Sequence, residues 1–105
     1  DFIVATAALD IELLRSLVTT EFIWSVPGHF DIYGPQILIQ ELSNYYNQVA
    51  SLNIHSNITH GCLGSMHGIE ILKTGKEIHF AHFFEFENHK KDAKLSKVTS
   101  YIVVA

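Results

Sequence analysis

Residues 63–86 read LGSMHGIEILKTGKEIHFAHFFEF. Two runs rich in β-branched and aromatic residues flank Lys73-Thr74-Gly75-Lys76, and a short polar, glycine-containing break between such runs is a hairpin signal. With Thr74-Gly75 as a two-residue loop, Lys73 pairs with Lys76 and the cross-strand partners follow. One face then carries Ile71 beside Ile78, Ile69 beside Phe80, His67 beside His82, Ser65 beside Phe84 and Leu63 beside Phe86. The other carries Leu72 with Glu77, Glu70 with His79, Gly68 with Ala81, Met66 with Phe83 and Gly64 with Glu85. The first set is the more apolar and is expected to face the core, which sets His67 and His82 side by side in a greasy surface. A buried imidazole without a partner costs about 1–3 kcal/mol, so such a pair calls for a water, a polar ligand or a hydrogen-bonding side chain.

Outward from this hairpin, Leu52 to His60 and Lys94 to Val104 have the same strand texture, and the polar HKKDAK at 89–94 reads as a solvated turn between strands. The first third of the chain is helical instead. Phe2, Ile3, Ala5 and Ala8 mark one helix, and Asp10 stands as the N-cap of a second that carries Ile11, Leu13, Leu14, Leu17 and Val18. Glu21 to Val26 forms a strand stopped by Pro27-Gly28, and His29 to Tyr33 reads as a loop. Gly34-Pro35 opens a third helix with Leu38, Leu42, Tyr45 and Val49 on its buried stripe. Helices followed by a strand meander define an α+β class, a single domain over residues 1–105 with helices packed on one face of a curved antiparallel sheet.

Composition narrows the function classes. The 105 residues, 48% of them hydrophobic, suffice for one core. A charged fraction of 17% and a formal net charge of −4 favour neither nucleic acid nor an anionic membrane as partner. There is no apolar run near the roughly 18 residues of a membrane span and no signal-peptide pattern. The sole cysteine, Cys62, has no partner for an intramolecular disulfide, which points to a reducing cytoplasm and to a buried, inert thiol. Seven histidines make pH sensitivity an expectation, because several can gain charge as pH falls toward about 5.

The order of elements and several local phrases resemble the SnoaL-like branch of the NTF2-like superfamily, whose members include ketosteroid isomerase and polyketide cyclases. The phrases are Ala7-Ala8-Leu9-Asp10-Ile11-Glu12, Phe22-Ile23-Trp24-Ser25-Val26-Pro27-Gly28, Tyr33-Gly34 leading into Ile37-Leu38, Thr74-Gly75-Lys76, Phe84-Glu85-Phe86 and Lys94-Leu95. The resemblance implies a cone-shaped fold with a pocket between sheet and helices, and a homodimer through the sheet's outer face, here the face of Met66, Phe83, Tyr101 and Val103. It does not imply one reaction, because chemistry resides in the site. Carried over by position, the aspartic acid that donates to the oxyanion in ketosteroid isomerase falls on His82, the catalytic base on Val26 and the oxyanion tyrosine on Phe2. Nor does the chain hold an Arg-Asp-Asp arrangement like that of the superfamily's epoxide hydrolases, its only arginine being Arg15.

The implied pocket is lined by Trp24, His29, Leu38, Leu42, His67, Ile69, Phe80, His82, Val98, Ser100 and Ile102, and it suits a small, largely apolar molecule with one polar group. As an enzyme, such a chain runs proton-transfer chemistry, isomerisation, cyclisation or hydrolysis, with His82 as acid or oxyanion donor and Asp31 as base. The plainer alternatives are a core histidine satisfied by a hydroxyl or backbone group, an Asx-turn at Asp31 and a purely structural Trp24. Neither a metal nor a cofactor is expected. His79 and His82 lie three apart on a strand and point to opposite faces, and His67 and His82, even with Asp31 or His29 as a third ligand, lack a recognisable ligand spacing. A non-catalytic dimerisation or interaction module is the competing class.

Overall fold

A computed structural model describes residues 2–8, 10–44, 48–90 and 92–105, with the side chains of 4, 7 and 8 outside the description. Tyr45, expected on the third helix's buried stripe, and the side chain of Ala8 thus lie outside the described residues. Three short helices, α1 (Phe2–Ala8), α2 (Ile11–Leu17) and α3 (Pro35–Ser43), accompany six strands, β1 (Val18–Val26), β2 (Phe30–Tyr33), β3 (Val49–His60), β4 (Leu63–Leu72), β5 (Glu77–Phe86) and β6 (Leu95–Val104). Their order across one sheet is β2-β1-β6-β5-β4-β3. No described helix is long and apolar enough to cross a membrane.

Local chemistry places the helix ends. Asp10 caps α2, its Oδ1 accepting from the amide of Leu13 at 3.2 Å. Gly34, at φ +84°, precedes α3, and Pro35 occupies the first turn, where no intrahelical donor is lost. Val49, expected on α3, instead opens β3. Leu14, Leu38 and Phe22 are fully buried between helices and sheet, and Phe2, Ile3 and Ala5 of α1 join the same core.

The sheet departs from the expected all-antiparallel meander in two ways. Residues 30–33, read as loop, form a short strand paired antiparallel with β1, Val26 opposite Phe30 and Trp24 opposite Ile32. Four residues are too few to show a period of two against the turn signals around them. In addition β1 runs parallel to β6, so the sheet is mixed. From β2 the chain crosses by α3 to β3 at the far edge, and three reversals bring β6 back alongside β1 in the same direction.

The central hairpin keeps the strands but shifts their partners by one residue. Ile71 pairs with Glu77, Ile69 with His79, Gly68 with Phe80 and Met66 with His82. The loop holds three residues, not two: the Leu72 amide donates to the Lys76 carbonyl at 3.0 Å, and Gly75, at φ +89°, donates to the Leu72 carbonyl at 2.9 Å. A three-residue loop with its last residue left-handed is a common hairpin closure, and glycine adopts that conformation without steric cost. Since side chains alternate along a strand, the shift reverses β4 relative to β5. Phe80, His82 and Phe84 face the helices as expected, whereas Met66, Gly68 and Glu70 now join them and His67 and Ile69 turn outward.

Packing explains the preference. A Cβ on Gly68 would come within 2.9 Å of Phe80 Cζ and collide with the Asn53 carbonyl oxygen. One on Gly64 would meet the Phe84 ring at 3.5 Å. The two glycines of β4 therefore sit beneath two rings of β5, and the inner face interleaves small with large side chains. Cys62, by contrast, is exposed in the β3–β4 turn, because the tip of a hairpin projects beyond the core and cannot bury a thiol.

Candidate functional site

Between the concave face of the sheet and the helices lies a cavity of ≈ 560 Å³. Strands β1, β5 and β6 contribute Trp24, Phe80, His82, Ser100 and Ile102, strands β3 and β4 contribute Val49, Leu52, Glu70 and Leu72, and α3 contributes Ile37, Glu41 and Leu42. A volume of this size lies within the range of small-molecule sites, about 300–1,000 Å³.

One polar cluster is set into the apolar wall. Pairing of β5 with β6 puts Ser100 opposite His82, and Trp24 lies across β6 on β1. Ser100 Oγ accepts from Trp24 Nε1 at 2.7 Å and lies 2.5 Å from His82 Nδ1. A serine hydroxyl has one proton to give. Trp24 is a donor only, so the one acceptor for that proton among these partners is His82 Nδ1. Nδ1 is thereby bare, and the ring proton resides on Nε2. His82 is only 7% exposed, and among the described residues no buried side-chain nitrogen or oxygen lacks a partner. Nε2, which has no partner among the described residues, therefore opens on the cavity.

Aromatic rings enclose this histidine. Phe80 stacks on it at 4.5 Å between centroids, and Trp24 and Phe84 each stand at 6.1 Å. Burial among them lowers the His82 pKa from 6.5 to about 4, so at neutral pH the ring is uncharged and presents an N–H donor. A second titratable group borders the cavity on the inner face of β4. Glu70 stands between Leu52 of β3 and Ile78 of β5, and its burial raises the carboxyl pKa.

The expected site residues scatter accordingly. Trp24, Asp31, Leu42, Phe80, His82, Ser100 and Ile102 border the cavity. Leu38 and Val98 are sealed in the core, each 0% exposed, and do not reach it. His29 sits on the β1–β2 turn over a shallow depression outside the cavity. His67 and Ile69 are on the opposite face of the sheet, His67 Nδ1 lying 2.5 Å from Ser56 Oγ, so the predicted His67–His82 pair does not form. Asp31 is at the exposed rim, its carboxylate accepting from Tyr33 Oη at 3.5 Å. Glu70 escaped sequence reasoning because the two-residue loop placed it outside; the glycines at 64 and 68, which need facing rings, were the available signal.

Neither the protein-family models nor the curated protein sequences match this chain. Solved structures do. A ketosteroid isomerase-like protein from Kribbella flavida DSM 17836 superposes with a TM-score of 0.82 at 14% identity, covering 99% of this chain and 73% of that one. A SnoaL-like polyketide cyclase-type protein from Shewanella denitrificans OS-217 gives 0.80 at 17%, covering 97% and 85%. An LEH-like epoxide hydrolase from M. tuberculosis gives 0.72 at 15%, covering 97% and 77%. The chain has the NTF2-like fold. Within that fold, His82 borders the cavity at the position where the resemblance implied an oxyanion donor. Val26 and Phe2, which replace the implied base and tyrosine, are buried, the Phe2 ring lying tilted against Phe22 and edge-on to Trp24.

Proposed function

We propose that this NTF2-like domain binds a small, largely apolar molecule whose carbonyl or comparable acceptor oxygen takes the hydrogen bond from His82 Nε2. The observation that carries the reading is a buried donor, without a partner among the described residues, set between aromatic rings in the cavity wall and fixed in one tautomer by Ser100. A buried donor left unpaired costs free energy that an acceptor on the ligand recovers. A carbonyl held there is polarised, the requirement shared by isomerisation and cyclisation. Catalysis also needs a base at the reacting carbon, and the two carboxyls that the sheet contributes, Asp31 and Glu70, stand far off. Strand geometry puts the Asp31 and Glu70 Cα atoms each about 14 Å along the sheet from that of His82, three strand spacings in one case and four residues plus one spacing in the other. Binding with carbonyl polarisation is therefore the function best supported, and Asp31 as base is the weaker part of it. A reducing cytoplasm suits the lone, exposed Cys62.

Fluorescence titration with Prodan, a neutral naphthyl ketone whose emission reports hydrogen bonding to its carbonyl, tests this reading. Wild-type protein is expected to bind it in the micromolar range, and Leu42→Trp, which fills the cavity, to abolish binding. A probe that ignores Leu42→Trp is not in the cavity, and the reading falls.

A second reading concerns the outer face, where Phe83, Tyr101 and Val103 are 48%, 53% and 67% exposed and Phe83 and Tyr101 meet edge-on at 6.0 Å. Met66, expected among them, is 4% exposed on the inner face, as the shifted hairpin requires. An apolar strip of this kind suits a symmetric homodimer. Sedimentation of a dimer that Tyr101→Lys converts to monomer supports it, and a wild-type monomer at tens of micromolar removes it.

A further inference from the structure

The cavity wall is chemically lopsided. Its titratable groups are Asp31, Glu41, Glu70 and His82, and no Lys or Arg is among its described lining residues. With His82 uncharged, every formal charge that can face the cavity is negative, and the protein as a whole carries −4. A carboxylate or phosphate ligand would meet repulsion with nothing to neutralise it, and a cation would meet attraction. Glu70 also occupies a particular place. It stands on the inner face of β4 between Leu52 and Ile78, across the apolar wall from the His82–Ser100–Trp24 cluster. Among the described residues neither a hydrogen bond nor an ion pair holds its carboxyl, and burial among apolar neighbours pushes its pKa up. The cavity thus has two polar poles: a donor, His82 Nε2, whose ring is more than nine-tenths buried and aimed inward, and an acceptor, Glu70.

We propose that the ligand is an amine-bearing amphiphile, its protonated nitrogen paired with Glu70, its acceptor oxygen on His82 Nε2, and its apolar body on Phe80, Ile78 and Ile102. The two poles lie on the order of 10 Å apart once the side chains lean into the cavity, which sets the spacing of nitrogen from oxygen. This rests on the binding reading above and adds the charge class of the ligand. A protonated amine at Glu70 supplies the counter-ion that the fold omits, and a charge-assisted hydrogen bond in a dry setting is about twice as strong as a neutral one.

Three 6-acylnaphthalenes that differ only in the tail at the far end of the ring system, aminobutyl, butyl or carboxypropyl, separate the terms by calorimetric titration at pH 7. Wild type is expected to bind the aminobutyl probe about tenfold more tightly than the butyl probe and the carboxypropyl probe most weakly. Glu70→Gln, close to isosteric, is expected to erase the amine preference and to keep butyl affinity within about threefold of wild type; Glu12→Gln, on the exposed face of α2 away from the cavity, leaves the preference in place. Equal affinity for amine and butyl tails overturns the proposal and leaves cavity binding standing. So does an amine preference that survives Glu70→Gln, which would place the cation elsewhere. If none of the three probes binds, the binding reading itself fails, and this one with it.

Discussion

Ser100 Oγ lies 2.5 Å from Nδ1 of His82, and through that contact a hydroxyl on β6 decides which nitrogen of the imidazole carries the proton. Ser100→Ala should remove the tautomer lock and leave both Nδ1 and the Trp24 indole N–H without their partner. The expected loss is about 1–3 kcal/mol of stability in urea titration. In parallel, ¹⁵N NMR of the imidazole should change from a fixed Nε2–H form to a mixture. An unaltered imidazole spectrum in the variant would show that Ser100 does not set the tautomer.

The pH dependence of stability follows from the depressed His82 pKa. Between 6.5, its ordinary value, and about 4, its value in the folded protein, the unfolded chain takes up a proton that the native state refuses. Stability therefore falls as pH drops through this window, and above it the group has no effect. At 1.36 kcal/mol per pH unit the loss amounts to about 3 kcal/mol. His82→Phe, which keeps an aromatic ring in the wall, should flatten the slope between pH 6.5 and 4 in denaturant titrations. A variant with the wild-type slope would assign the acid sensitivity to other groups.

Glu70 carries the opposite sign. Its carboxyl pKa is raised, so the folded state holds its proton more tightly than the unfolded chain does, and the contribution to stability is lost as pH rises above the ordinary carboxylate value. Glu70→Gln should accordingly be more stable than wild type at pH 7 and lose that advantage near pH 4. Thermal melts at both values check it. A destabilised variant at neutral pH would mean that the ionised carboxyl is well served in its present place.

Gly68 is a packing requirement, not a flexible joint. Gly68→Ala forces the Phe80 ring and the Asn53 carbonyl apart and is expected to cost about 1–3 kcal/mol, with part of the cavity wall displaced. Gly75→Ala, where nothing lies within 4 Å of the added methyl but φ is +89°, should cost about 1–2 kcal/mol from backbone strain alone and leave probe binding intact. Comparing the two by urea denaturation and Prodan affinity separates wall from turn.

Much of this architecture was legible in the residues. Asp10 announced α2, Gly34-Pro35 announced α3, and Leu63–Leu72 carried its strand character openly, because caps and β-branched runs act locally. What the chain did not disclose depends on partners distant in sequence. Whether Glu70 or His67 faces the cavity turns on one residue of hairpin loop, and periodicity of two is symmetric under that shift. Similarly, Leu38 and Val98 are as apolar as Leu42 and Ile102. Only the depth of each in the packed structure separates core from cavity wall. His82 was found because the apolar alternation of β5 does not depend on its partner's register and because the resemblance set it at the oxyanion-donor position.

The Trp24–Ser100 bond spans 76 residues, and the strands that carry its ends are neighbours only in the finished sheet. On a ribosome, helices and the β4–β5 hairpin can assemble from contacts close in sequence, whereas the wall that fixes His82 waits for β6 to emerge. Closing so long a loop is slow compared with forming a hairpin. The cavity wall around His82 thus forms only once β6 has joined the sheet, and a nascent chain halted before it would hold the hairpin without the Trp24–Ser100–His82 cluster.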